Sequence, residues 1–316
     1  MVVFIHIMFR GKTGEIVDAL ARFAVPLFFL VSGYYSYQIP PVKFKKRIKH
    51  IANLLIFSVL LYTLFNVVEL LMNGKIDDIS LYFNRYTYRT TLIALFVFND
   101  PISSAHLWYL FAMIYVYVVF WVLSILRFKE EGIFVISFLL LVLHISLGEG
   151  LSIFGITIPI GYVRNFILMG IPFFAMGLFV KKHENKLRSI RNCWLVVAAT
   201  TGIIMSVLSR SFLGKNELYV GSLFVLFAVT VVFIKYPNIK YPLFLEALTG
   251  CSTYIYIFHI MISKSIEQIY ALFNINIYTS AFMENIHPII VCIASTILAY
   301  LITRIAKHVS LIKHIK

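Results

Sequence analysis

Charged residues are scarce in this chain, since Asp, Glu, Lys and Arg make up only 13% of its 316 residues. Hydrophobic residues make up 60%, which leaves too few polar side chains to cover a water-soluble globule. Acidic residues are scarcer than basic ones, with 14 Asp and Glu against 28 Lys and Arg. The composition therefore excludes a soluble protein and predicts a polytopic membrane protein.

Cysteine is also rare, with three residues that lie in apolar stretches: Cys193, Cys251 and Cys292. Their positions fit neither metal-ligand spacing nor a disulfide framework, so we expect buried, small hydrophobic side chains and no metal site. The chain also lacks a phosphate-binding glycine loop and a Ser/His/Asp triad signature, which argues against a kinase or a hydrolase.

Apolar segments of helical length follow one another along the chain. They predict an all-α, polytopic integral membrane protein with about ten transmembrane helices, in a single domain over residues 1–316. The segments are 1–9, 15–37, 50–73, 107–126, 132–148, 164–180, 193–209, 217–234, 244–263 and 286–303.

The net charge of +14 would suggest nucleic-acid binding in a soluble protein, but here the Lys and Arg residues lie between apolar runs. When the loops are assigned alternately to the two sides of a membrane, eighteen of these residues fall on one side and nine on the other. Cytoplasmic loops carry the excess of Lys and Arg. We therefore expect a multi-pass protein of the cytoplasmic membrane, with its C-terminus in the cytoplasm and no nucleic-acid partner.

The first apolar segment is too short to cross a bilayer. A nine-residue helix is only about 14 Å long, against a hydrocarbon core of about 30 Å. The alternation of the loops nevertheless requires residues 1–9 to run from the inside to the outside. We expect a first helix that is truncated at its N-terminus, with Met1 near its middle; a short re-entrant segment is the alternative.

Ionisable groups inside apolar spans are costly, so they are functional candidates. The strongest group surrounds the turn "RGKTG", which leaves His6 on one segment at about the depth of Asp18 and Arg22 on the next. Asp18 and Arg22 are spaced i, i+4 and share a helix face. A carboxylate and a guanidinium beside an imidazole suit a general base, although a structural Asp18–Arg22 salt bridge explains the same pattern.

Six stretches in order resemble the membrane acyltransferase family 3, the integral membrane O-acetyltransferases and related acyltransferases that modify cell-surface glycans. The resemblance covers almost the whole chain. The stretches are "VVFIHI", "RFAVPLFFLVSGYY", "KFKKRIKHI", "HLWYLFAMIYVYVV" (106–119), "GIPFFAMGLFV" (170–180) and "GCSTYIYIFHIMI" (250–262).

The resemblance implies that His6 is the catalytic histidine, with Arg22 as the arginine of the second span, Trp108 as the family's tryptophan and His259 as its late histidine. It also implies an acyl-CoA donor, most often acetyl-CoA, and an acceptor hydroxyl on a cell-envelope polysaccharide or a lipid-linked glycan precursor. No bound cofactor is expected. His6 would remove the hydroxyl proton, or first take the acyl group, while Arg22 steadies the oxyanion.

We expect the two substrates to bind on opposite sides of the membrane. Lys45, Lys46 and Arg47 lie just inside, where the donor's phosphates can bind by charge, although an ordinary positive-inside loop has the same composition. The acceptor is expected in the outer half of the bilayer. The residues expected to bind it are His106, Trp108, Tyr256 and His259.

Two other functions are compatible with buried His and Arg residues. One is a transporter or flippase that uses them as substrate or proton sites. The other is a receptor-like membrane module with degenerate catalysis. Consumption of a thioester separates the acyltransferase from both.

Overall fold

The computed structural model describes residues 1–84, 88–96, 98–99, 103–237, 248, 250–275 and 280–315, with side chains except at 88–90 and beyond 306. Over these ranges every regular element is a helix and no strand occurs. The all-α prediction is confirmed.

The chain divides into two compact units, which are described separately. Unit 1 comprises Met1–Ala21 and Tyr236–Lys316, and unit 2 comprises Arg22–Lys235. The single domain over residues 1–316 stays a prediction.

Helices of unit 1 come from both ends of the sequence. They are α1 (Val2–His6), α2 (Gly11–Ala21), α15 (Ser252–Leu272) and α16 (Ala281–Ile315). Val3 and Ile7 form a small buried core with Val291 of α16, and Ile255 of α15 packs against it. The apolar face of α1 therefore holds this short helix against α15 and α16.

Unit 2 contains the remaining helices of the described chain. They are α3 (Ala24–Tyr34), α4 (Pro41–Met72), α5 (Asp77–Asn84), α6 (Tyr88–Phe96), α7 (Trp108–Ile125), α8 (Glu130–Ile145), α9 (Leu151–Ile153), α10 (Ile160–Val163), α11 (Ile171–Lys182), α12 (Glu184–Arg188), α13 (Asn192–Leu213) and α14 (Val220–Lys235), with a 3₁₀ turn at Ala105–Leu107 and π-helical turns at Ser146–Gly150 and Phe166–Gly170.

Within the described ranges, six helical stretches are long and apolar enough to cross a membrane, and each overlaps a predicted segment. They are Gly11–Tyr34, Pro41–Met72, Ala105–Ile125, Glu130–Ile153, Asn192–Leu213 and Ala281–Ala306. The chain is a helical membrane protein.

The other four predicted segments are shorter as helices or incompletely described. Segment 217–234 matches the apolar helix α14, 164–180 begins as a π-helical turn before α11, and 1–9 contains only α1. Residues 244–247 and 249 of segment 244–263 lie outside the described residues. The count of ten spans stays a prediction.

The segment predicted over 15–37 contains two helices, because α2 ends at Ala21 and α3 begins at Ala24. Pro26 accounts for the break. Proline has no N–H to bond the carbonyl four residues earlier, and its ring collides with that carbonyl, which here belongs to Arg22. The break places Arg22 between two helices.

Helices α3 and α11 touch backbone to backbone through two glycines. A Cβ atom on Gly33 would lie 1.9 Å from the Phe174 carbonyl oxygen, and one on Gly177 would lie 2.0 Å from the Leu30 carbonyl oxygen. Small residues let membrane helices approach closely. This contact brings Phe29, Leu30, Phe173 and Phe174 together in the core of unit 2.

The cysteines are free thiols, as expected, but one of them is not buried. Cys193 is exposed, whereas Cys251 is buried and Cys292 is half-buried. The prediction of burial is wrong for Cys193 because α13 exposes much of its apolar surface, as a membrane-facing helix does.

A polar network joins the end of α3 to Glu184 of α12, which lies outside the membrane-spanning helices. The Tyr34 hydroxyl donates to Glu184 at 2.8 Å, Lys181 lies 2.7 Å from the same carboxylate, and Arg188 also donates to it. Partial burial favours the neutral acid, but the hydrogen bonds from Lys181, Tyr34 and Arg188 lower the pKa of the Glu184 carboxyl to about 2.

Substitution Gly177→Ala is expected to lower the free energy of unfolding by about 2 kcal/mol or more, because the new methyl group forces α3 and α11 apart. Thermal melting of the protein in detergent measures the loss. Gly148→Ala is the matched control, since its nearest neighbour would be 3.9 Å away. Equal melting temperatures for the two variants would show that the α3–α11 contact can relax.

Substitution Glu184→Gln is expected to lower the free energy of unfolding by about 1 kcal/mol at neutral pH, because glutamine cannot form the ion pairs with Lys181 and Arg188. The lowered pKa means that this contribution is complete above the unfolded value of 4.5 and is lost as the pH falls through about 2. Denaturation across this pH window should show the gap between wild type and variant closing. A gap that widens in acid contradicts the assignment.

Candidate functional site

Two histidines predicted from distant parts of the sequence meet in unit 1. The rings of His6, at the end of α1, and His259, on α15, have centroids 5.3 Å apart. His259 is fully buried, whereas His6 is partly exposed. The pair thus combines a protected imidazole with one that a substrate can reach.

Hydrogen bonds set the tautomer of His259. Its Nδ1 atom lies 2.8 Å from the carbonyl oxygen of Tyr256 and 3.1 Å from that of Ile255. A carbonyl oxygen only accepts, so Nδ1 carries the proton of the neutral ring and Nε2 keeps its lone pair. The centroid of the Tyr256 ring lies 6.3 Å from that of the His259 ring.

The turn between α1 and α2 is tied to the start of α16. The backbone N–H of Arg10 donates to the Asn285 side chain at 3.0 Å, and its guanidinium lies 3.1 Å from Glu284. These contacts fix the end of α1, and hence His6, relative to α16.

The two other predicted catalytic residues are both buried. Asp18 lies on α2 in unit 1 and is fully buried, and Arg22 is the first residue of unit 2, with a side chain that is 1% exposed. Their catalytic roles, and the alternative of a structural salt bridge between them, stay predictions.

Within unit 2, a carboxylate that the sequence analysis missed holds Arg22. Glu217 lies 3.3 Å from the Arg22 guanidinium through one oxygen and 3.7 Å from Arg164 through the other. The Glu217 carboxylate therefore lies between the guanidinium groups of Arg22 and Arg164. A buried guanidinium requires such a partner, because an uncompensated charge is costly in a low-dielectric interior.

The loop that carries Glu217 is itself anchored by polar contacts. Glu149, which is buried, accepts a hydrogen bond of 2.6 Å from the backbone N–H of Val220 at the start of α14. A carboxylate at a helix N-terminus is favourable for the exposed N–H groups and for the helix dipole. The Tyr219 hydroxyl contacts the backbone N–H of Asn216 at 3.1 Å, so the loop has a defined shape.

Trp108 and His106, predicted to bind the acceptor, lie at the start of α7. The guanidinium of Arg164 lies 5.6 Å above the Trp108 ring, which is almost fully buried. His106 is also buried; its Nδ1 is 2.7 Å from the Ser104 hydroxyl and its ring packs edge-on to Tyr62. Arg164 thus lies over the Trp108 ring that was expected to meet a sugar, and the binding roles stay predictions.

The predicted donor-binding residues begin α4. Arg47 donates a hydrogen bond to the Ser36 hydroxyl, and Lys45 lies 5.2 Å above the Trp121 ring. Lys46 is exposed. Two of the three cations therefore make contacts inside unit 2, and Lys46 faces its surface.

A cavity of about 230 Å³ opens at the same end of unit 2. Ser36, Gln38 and Arg127 supply polar lining, and Phe44 and Phe134 supply apolar lining. Gln38 and Arg127 have positive φ angles of 54° and 50°, an uncommon conformation for residues other than glycine. A pocket of mixed polarity beside Arg47 can take a ligand with a polar and an apolar part.

A family model described as an acyltransferase domain matches residues 1–304. The chain belongs to the membrane acyltransferase family 3. The match confirms the resemblance inferred from the sequence and extends over both units. Comparison with curated proteins and with solved structures gives no match.

Membership of acyltransferase family 3 indicates that the protein is a membrane acyltransferase, and the transporter alternative is not favoured. No group of three His, Cys, Asp or Glu side chains in the described part of the chain is arranged to hold a metal ion.

Sequence reasoning missed Glu217 and Arg164 because both lie at the ends of apolar segments, where ionisable groups are ordinary. The signal that was available is the cost of burying Arg22, which demands a carboxylate from somewhere in the chain. Which of the 14 acidic residues supplies it depends on how the helices pack.

Substitution Glu217→Gln is expected to lower the free energy of unfolding by about 3 kcal/mol, because the charge of buried Arg22 loses the counter-charge of Glu217. Chemical denaturation in detergent measures this loss. Glu131→Gln is the matched control, since that side chain is 78% exposed and lies 3.8 Å from Lys182. We expect the control to cost less than about 0.5 kcal/mol. Similar losses in both variants would show that Glu217 acts as a surface charge.

Proposed function

We propose that this protein transfers an acyl group, most simply acetyl, from acyl-CoA to a hydroxyl of a cell-envelope polysaccharide or a lipid-linked glycan precursor. Membership of acyltransferase family 3 supports the reaction class. The observation that carries the chemistry is the contact between His6 and His259, with ring centroids 5.3 Å apart.

Of the two imidazoles, His6 is the better general base. A base must reach the hydroxyl that it deprotonates, and His6 is partly exposed whereas His259 is fully buried. With its Nδ1 proton donated to a carbonyl, His259 offers an Nε2 lone pair to a neighbouring donor. His259 is then the group that orients His6 and shares its proton.

Two routes lead from this arrangement to the same products. In direct transfer, His6 takes the hydroxyl proton while the oxygen forms a bond to the thioester carbon and the carbon–sulfur bond breaks. In the stepwise route, the imidazole of His6 first takes the acyl group and then gives it to the hydroxyl. Both routes produce an ester and free coenzyme A.

The donor is assigned to the end of unit 2 that carries Lys45, Lys46 and Arg47. Coenzyme A is polyanionic, so cations at a membrane surface attract it. The mixed cavity lined by Ser36 and Phe134 lies at this end and supports the assignment. We place the protein in the cytoplasmic membrane. Because the loops at this end carry the excess of Lys and Arg, we assign this end, and likewise the C-terminus, to the cytoplasm.

Substitution His6→Ala is expected to reduce acyl transfer at least about 100-fold, because it removes the base in one route and the nucleophile in the other. The measurement is transfer of label from acetyl-CoA to envelope glycan in membranes that contain the protein.

His50→Ala is the matched control, because His50 is exposed on α4. Both variants are compared at equal amounts of folded protein. Equal labelling by His6→Ala and wild type would remove His6 from the mechanism. Absence of labelling by wild type, with the right glycan present, would overturn the proposed function.

A further inference from the structure

A second polar cluster lies in unit 1, on the facing surfaces of α15 and α16. The Ser263 hydroxyl donates to the Glu267 carboxylate at 3.1 Å and lies 3.0 Å from Nε2 of His287. The same Nε2 atom is 3.4 Å from Glu267. Three groups able to exchange protons are thus in mutual contact.

The hydrogen bonds in this cluster have a direction. Because the Ser263 hydroxyl gives its proton to Glu267, its oxygen is left to accept from His287, and Nε2 of His287 carries the proton. The donors therefore run from His287 through Ser263 to Glu267. A proton that enters the imidazole can leave at Glu267 by successive shifts along these bonds.

The other ring nitrogen of His287 is placed to accept such a proton. Nδ1 is buried and has no hydrogen-bond partner among the described residues. When the ring is neutral, the proton on Nε2 leaves this nitrogen with a lone pair. A buried acceptor without a partner is costly.

Burial decreases along α15 away from His259. His259 is fully buried, Ser263 follows one helical turn later and is 5% exposed, and Glu267 follows after another turn with a side chain that is 39% exposed. Ser263 therefore lies on the same face of α15 as His259, one turn further along. The cluster therefore begins one turn after the buried His259 and ends at a partly exposed carboxylate.

We propose that His287, Ser263 and Glu267 form a proton exit path for the His6–His259 pair. This inference rests on the proposed function. When the acceptor oxygen forms the ester bond, its proton passes to the histidine pair, then to Nδ1 of His287, and leaves from Glu267 to water. Coenzyme A departs as a thiolate and takes a proton from the water on its own side, so that protons balance.

Two other charged groups lie near the path. In addition to His287, the Lys264 ammonium group interacts with the Glu267 carboxylate. Glu284, three residues before His287 on α16, pairs with Arg10 at 3.1 Å. Glu284 belongs to the fold of the α1–α2 turn and has no place in the path.

Chemical rescue of Glu267→Gln tests the path. Glutamine keeps the shape of the side chain but cannot take up and release a proton. We expect a decrease in kcat of about 10-fold in weak buffer, with KM for acetyl-CoA unchanged, and recovery of most of the loss in roughly 0.1 M imidazole. His287→Gln should behave in the same way, and Glu267→Asp, which keeps the carboxylate, should stay within about threefold of wild type.

Glu131→Gln is the matched control, since that side chain is 78% exposed, and it should change kcat by less than about twofold in either buffer. Wild-type rates for both Glu267→Gln and His287→Gln would overturn the path, and so would a loss in Glu267→Gln that imidazole does not restore. Since Glu267 is partly exposed, we expect Glu267→Gln to fold. If His287→Gln does not fold, Glu267→Gln alone decides the result. Lack of acyl transfer by wild type would instead overturn the proposed function.

Discussion

A charge inside a membrane-spanning protein has to be met by another group of the protein, because the surrounding hydrocarbon offers none. Arg22 shows the effect most clearly in unit 2, since its guanidinium is buried and Glu217 supplies a carboxylate from a loop almost two hundred residues later. The same carboxylate reaches Arg164, which covers the ring of Trp108. One carboxylate therefore holds Arg22 directly and Trp108 through Arg164.

In unit 1 the described groups nearest to the proposed reaction include imidazoles and a hydroxyl, which a low dielectric tolerates better than fixed charges. His259 satisfies one nitrogen with its own helix backbone, and Ser263 joins Glu267 to His287. Imidazoles and hydroxyls can take up and pass on a proton, which suits a reaction whose central event is the movement of one proton. The carboxylate appears at the partly exposed end, where water can stabilise it.

Much of the candidate site could be predicted from short motifs, and the rest could not. "VVFIHI" and "GCSTYIYIFHIMI" pointed to His6 and His259, which the structure places in contact. Their position inside an apolar segment correctly put Asp18 and Arg22 among the buried ionisable residues. The shared helix face expected from their i, i+4 spacing did not allow for the break caused by Pro26, which ends α2 at Ala21. Glu217 and His287 were missed because neither lies in a recognisable motif, and both gain significance only from partners distant in the chain.

The amino-acid sequence by itself determined that this is a helical membrane protein and, through its ordered motifs, to which acyltransferase family it belongs. Hydrophobicity and motifs are local properties, so they can be read along the chain. Only the tertiary structure decided that Glu217 meets Arg22 and that Ser263 joins His287 to Glu267. Such contacts depend on the register in which helices pack, and close approaches such as that of Gly177 to Leu30 set this register.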